Sequence, residues 1–160
     1  LFELRPLILE TQGLVPALES YVHQLQDSEA FALHLQAADD LPHLNNSVAG
    51  TVFAIVQEAL NNAKQHAAPR DVWLRLSQEE GWLQVVIEDN GRGFDYDAVE
   101  ERYDQLGSIG LLTMRERAEL LNGRVEFQSS TAHPNAGTKV ILNVPLSPEE
   151  EDGATTQHTK

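Results

Sequence analysis

The sequence predicts an α/β fold of the α+β kind, a two-layer sandwich with a mixed sheet of about five strands and helices over one face. Five segments read as strands, by period-2 alternation or as short β-branched runs: 31–35, 71–77, 82–89, the stretch around Val125 and Phe127, and 139–145. Two segments, 48–66 and 111–122, instead carry apolar residues at helical spacing. At 160 residues the chain can build a core without staples, and it contains no cysteine. Disulfides, thiolate zinc sites and a cysteine nucleophile are therefore excluded.

Eleven Lys and Arg against 25 Asp and Glu give a formal charge of −14, which opposes contact with nucleic acid or an anionic membrane. No apolar run approaches the ~20 residues of a membrane span, and nothing at the start reads as a signal peptide. A soluble, cytoplasmic chain is expected.

Taken in order, residues 1–26 read as helical. Leu14, Leu18, Tyr21 and Leu25 form a narrow apolar seam, and Pro16 stands where a helix can start. The seam suits either a helix packed on its own domain or one strand of a helical bundle. Residues 31–35 follow as a strand, then a polar loop. The 48–66 helix has Ser47 as its expected N-cap and a wide face of Val48, Val52, Ile55, Val56, Ala59, Leu60 and Ala63. Glu58 and Asn62, four apart, share a stripe at the edge of that face, which also suits a solvated flank. Lys64, Gln65 and His66 close the helix before Pro69. Strands 71–77 and 82–89 are joined by a hairpin-like QEEG.

The most informative stretch is 83–94, LQVVIEDNGRGF. Leu83, Val85, Ile87 and Asp89 share one parity, so the Asp89 carboxylate points where the apolar side chains point. A carboxylate facing a core needs a donor. Gly91 and Gly93 allow close backbone approach, although Asn90-Gly91 is equally a turn signal. Residues 95–106 are acidic and weakly patterned, and are expected to form a mobile cover. The GSIG stretch, Gly107 to Gly110, leads into the helix LLTMRERAELLNG. Gly137 and Thr138 open the last strand, and 147–160 reads as a disordered acidic tail.

These glycine-marked loops and the Glu/Asn stripe fall in one order: EALNN (58–62), DNGRG (89–93), GSIG (107–110) and GT (137–138). In that order the chain resembles the catalytic, ATP-binding domain of two-component sensor histidine kinases, within the superfamily that includes gyrase, Hsp90 and MutL. The four stretches are similar to its N box and three G boxes. LLTMRERAELLNG resembles the subfamily that pairs with helix-turn-helix response regulators. LRPLILETQGLVPAL is similar to the second helix of that subfamily's dimerisation and phosphoacceptor domain.

The resemblance implies a Bergerat-type fold. It divides the chain into the end of a helical dimerisation domain (1–26), a catalytic domain (27–146) and the tail (147–160). It also implies ATP and Mg²⁺ as cofactors. Asp89 would accept a hydrogen bond from the adenine amine, with Gly91 and Gly93 beside the base. Asn62 would ligate Mg²⁺, and Glu58, as the catalytic residue, would hold a water on that ion or polarise the attacking group. Gly107, Gly110 and Leu111 would face the phosphates. His66 and Thr138 would lie near the nucleotide. Implied partners are a phosphoacceptor helical domain, a response regulator and, in the intact protein, a second copy; that protein is either soluble or membrane-anchored.

Two departures stand out. Gln65 occupies the place usually held by a basic residue before the histidine, which weakens phosphate contact by Lys64. No segment resembles the phosphoacceptor box, so this chain is expected to bind ATP without phosphorylating itself. Rival readings are an anti-sigma-type serine kinase, a non-catalytic nucleotide-sensing module of the same fold, and a plain interaction domain.

Overall fold

A computed structural model describes residues 6–93, 110–129 and 137–147. The elements run α1 (Leu7–Gln12), α2 (Leu14–Ser28), β1 (Ala32–Ala37), α3 (Asn46–Asn62), a π-helical turn (Ala63–Ala67), β2 (Asp71–Glu79), β3 (Trp82–Asp89), α4 (Leu111–Leu120), β4 (Arg124–Ser129) and β5 (Thr138–Pro145). The sheet has five strands in the order β1-β2-β3-β5-β4. Among the described residues only β1 and β2 pair in parallel, joined by the α3 crossover, so the sheet is mixed as expected.

Alternation fixes the two faces. Val72, Leu74 and Leu76 of β2, Leu83, Val85 and Ile87 of β3, and Val140, Leu142 and Val144 of β5 are buried, in one cluster with the helical side chains. The intervening residues form a polar face on which Arg75 pairs with Glu88 at 3.0 Å and Trp73 stacks on His34. One layer of helices therefore covers one side of the sheet. α3 supplies the middle of that layer, with Val52, Ile55 and Val56 fully buried. Burying side chains of this size stabilises by about 1.5–3 kcal/mol each before chain entropy is counted.

The N-terminal helix is not continuous. Gly13, at φ 98, breaks it into α1 and α2, and Pro16 falls in the first turn of α2, where a missing N–H costs nothing. Leu14 and Leu18 of the seam, with Leu9 before it, join the core, and the Tyr21 ring meets Phe53 edge-on at 5.6 Å. The α3 cap is Asn45, whose side chain accepts the Val48 N–H at 2.9 Å, and not Ser47. Such caps are worth about 1 kcal/mol. The β2–β3 hairpin is tighter than QEEG suggests, because only Glu80 (φ 50) and Gly81 (φ 80) turn, both left-handed as a two-residue hairpin needs.

At the outer edge of the sheet the Gln26 side chain of α2 accepts the Leu33 N–H at 2.7 Å and donates to the Phe31 carbonyl at 2.9 Å. The anticipated cover at 95–106 and nearly all of the tail lie outside the described residues.

Candidate functional site

Asp89 closes β3 on the core-facing parity and is 6% exposed, as its place in the strand predicts. Burial pushes its carboxyl above the ordinary carboxylate range; backbone hydrogen bonds from Gly91 and Thr138 pull it back, and the charge of Glu88 raises it. Gly91 N–H donates to Asp89 Oδ1 at 2.9 Å. The carboxylate thus faces the pocket already oriented by the main chain.

A narrow pocket opens between sheet and helices. Asp89, Thr138 and Val140 line it from the sheet, Asn62 from α3, and Leu111 and Met114 from α4. Its free volume of about 10 Å³ holds roughly one water.

Asn62 is the last residue of α3 and is 7% exposed, so a polar side chain has been placed in the apolar layer. Directly after it the helix widens into the π turn at 63–67, which ends at Ala68 in the left-handed region (φ 47). Single π turns recur at functional sites because they re-aim the side chains around them. His66 lies in this turn, and its Nε2 is buried without a hydrogen-bond partner among the described residues. Glu58, one turn before Asn62, comes against the start of α4: a Cβ added to Gly110 would run into the Glu58 carboxyl group. Gly110 itself sits at φ 71 and caps α4, whose N-terminal amides favour anions. The N-box stripe and Gly110 therefore meet.

Gly91 of the DNGRG loop is required by a close approach within the chain itself. Space beside Gly91 is filled by Ala67, whose carbonyl a Cβ would overlap. Gly137 likewise lies on the Asp89 backbone carbonyl and donates its N–H to Gly91 O at 2.9 Å. The loops hold one another. Gly93 adopts φ 67 and is buried, and the Thr138 hydroxyl lies 2.9 Å from Ser129 Oγ. Gly107 lies outside the described residues.

Lys64 points elsewhere. Its ammonium is 2.8 Å from Glu29, and that hydrogen bond raises its pKa. Residues that sequence reasoning passed over are Met114 and Val140 in the pocket, and Asn90 and Arg92 in the loop. Asn90 Oδ1 accepts the N–H groups of Arg70 and Asp71 at 3.0 and 2.9 Å, tying the end of β3 to the start of β2. Val140 was readable from the parity of Thr138 and Met114 from its helical spacing to Leu111, whereas the Asn90 and Arg92 contacts join distant segments and leave no local signal.

Residues 48–148 match the model of the family described as histidine kinase-, DNA gyrase B- and HSP90-like ATPases. An uncharacterised sensor-like histidine kinase of Chloroflexus aurantiacus is 43% identical over 91% of this chain and 24% of its own. The histidine-protein kinase/phosphatase DegS of Brevibacillus brevis is 31% identical over 94% of this chain and 37% of its own. Among solved structures, the histidine kinase domain of the blue-light activated kinase of Erythrobacter litoralis superposes with a TM-score of 0.66 at 28% identity, covering 87% of this chain and 62% of that one. The chain spans about a quarter to two-fifths of the length of these curated relatives.

Proposed function

This chain belongs to the family of histidine kinase-, DNA gyrase B- and HSP90-like ATPases, and on that premise we propose that it is the catalytic module of a sensor histidine kinase, transferring the γ-phosphoryl of MgATP to a histidine on a helical domain. The observation that carries the reading is the buried Asp89 carboxylate, fixed by Gly91 and facing a pocket whose other wall carries Asn62. A turn-only role for DNGRG gives no reason to bury an acid there at a desolvation cost. The kinases among the relatives favour this reading over a serine kinase of the anti-sigma type.

Asp89 accepts the adenine amine and rejects guanine, whose carbonyl at that position offers no proton. Asn62 and Glu58 supply hard oxygens one turn apart, a donor set that fits Mg²⁺. Among the described residues no cluster of three His, Asp or Glu could hold a metal alone, so the remaining ligands would be phosphates and water. Bound there, Mg²⁺ would neutralise phosphate charge. Glu58 polarises the attacking group, and the amides at Gly110 and Leu111 face the phosphates. His66 and Thr138 border the nucleotide, and Gly107 belongs to the same phosphate-facing loop.

Residues 1–26 are the C-terminal part of a dimerisation and phosphoacceptor domain, 27–146 form the ATP-binding domain, and 147–160 form an acidic tail. The partners are that helical domain, a second copy of the kinase and a response regulator. No described helix is long and apolar enough to cross a membrane.

Calorimetric titration with a non-hydrolysable ATP analogue, with and without Mg²⁺ and against GTP, tests the pocket. Adding a kinase dimerisation domain that carries its histidine tests the transfer. Mg²⁺-sensitive, adenine-selective binding is expected; a folded chain that ignores both nucleotides would sink the reading.

A further inference from the structure

Asp89 ends a strand and Asn62 ends a helix, so a site that uses both needs something to fix one against the other. We infer that Arg92 is the positioning residue that ties the base-recognising loop to the metal-holding helix, an inference that rests on the nucleotide reading above. The last carbonyls of a helix have no partner within it. Arg92 takes two from the end of the π turn: its N–H donates to Ala67 O at 2.9 Å and its Nε to His66 O at 2.7 Å. A guanidinium here also meets the negative end of the helix dipole. The missing side chain at Gly91 lets the loop come against Ala67.

The two halves depend on the guanidinium unequally. The base half keeps Gly91 N–H on Asp89, Gly137 N–H on Gly91 O and the Asn90 bonds to β2 whether or not the guanidinium is present. The His66 carbonyl accepts the guanidinium Nε just before the chain turns left-handed at Ala68. Losing that donor loosens the π turn at His66, directly behind Asn62, while the Arg92 main-chain N–H still holds the Ala67 carbonyl. Arg92 therefore governs the metal-dependent part of binding and leaves base recognition alone.

The test is titration of the full chain as wild type, Arg92→Ala and Arg92→Lys with adenosine and with an ATP analogue, with and without Mg²⁺. In Arg92→Ala, adenosine affinity should stay within about twofold, while the gain in ATP affinity from Mg²⁺ falls about tenfold, ~1.4 kcal/mol. Lysine restores one donor to the His66 carbonyl, so Arg92→Lys should recover much of that gain. If Arg92→Ala does not fold, the comparison of Arg92→Lys with wild type decides, the expected Mg²⁺ gain being intermediate. Equal loss of adenosine and MgATP, or no change in the Mg²⁺ gain, overturns the inference. Wild type that binds no nucleotide overturns instead the reading on which it rests.

Discussion

The Lys64 ammonium sits 2.8 Å from the Glu29 carboxylate, which joins the π turn behind the N-box helix to the residue where α2 gives way to β1. The cation that sequence position offers to the phosphates is held on the protein's own surface instead. The Lys64 side chain is half exposed and its charge well solvated, so the pair matters for where the ammonium is placed.

Lys64→Ala should accordingly leave MgATP affinity within about threefold of wild type, ~0.6 kcal/mol. Titration calorimetry checks this. A tenfold loss would mean that Lys64 leaves Glu29 when nucleotide binds.

Asp89→Asn should separate binding from stability. Asparagine can still accept the Gly91 N–H but also presents an amide donor, so adenine affinity should fall about 100-fold, ~2.7 kcal/mol, while the nucleotide-free protein becomes no less stable. The pH dependence has a definite sign. Burial raises the folded-state pKa of Asp89 above its ordinary 3.8, so the folded form binds more protons across that window. Stability at this site is greatest below 3.8 and declines as pH rises through the folded pKa. Denaturant midpoints across mildly acidic pH should show a shallower decline in Asp89→Asn than in wild type.

Gly110→Ala sets a side chain against Glu58 at a left-handed φ of 71. Glu58 can swing aside, so the fold should survive with a loss of about 1 kcal/mol. Phosphoryl transfer to a supplied histidine domain should drop at least about tenfold, as expected where a small displacement disturbs positioning. Unchanged transfer would remove Glu58 from the mechanism.

At Gly137 the obstacle is the Asp89 main chain, which cannot rotate away. Gly137→Ala should lower stability by about 2–4 kcal/mol, in the range of a severe backbone clash. Urea unfolding of the two glycine variants side by side would rank them, and the reverse order would contradict the packing described here.

Much of this was legible locally. The parity of Leu83 to Asp89 placed the acid in the core, and the spacing from Val48 to Ala63 placed α3, because burial on a strand or helix follows its own period. The sequence also marked the loops that meet at the site. It did not reveal what they meet: Gly91 reads as room for a ligand, yet Ala67, twenty-four positions earlier, occupies that space. The π turn, the Lys64 pair and the Arg92 bonds were hidden for the same reason, since each is decided by a partner far along the chain. The helix break at Gly13 was nearer to view, since the apolar seam begins only at Leu14.

Gln26 carries a consequence for the open edge of the sheet. Its amide presents to β1 the same acceptor and donor that a neighbouring strand would, so the outward Leu33 N–H and Phe31 carbonyl are already satisfied. Open sheet margins recruit strands from other molecules and seed fibrils. Here one side chain fills that slot at the start of β1, where an incoming strand would otherwise dock.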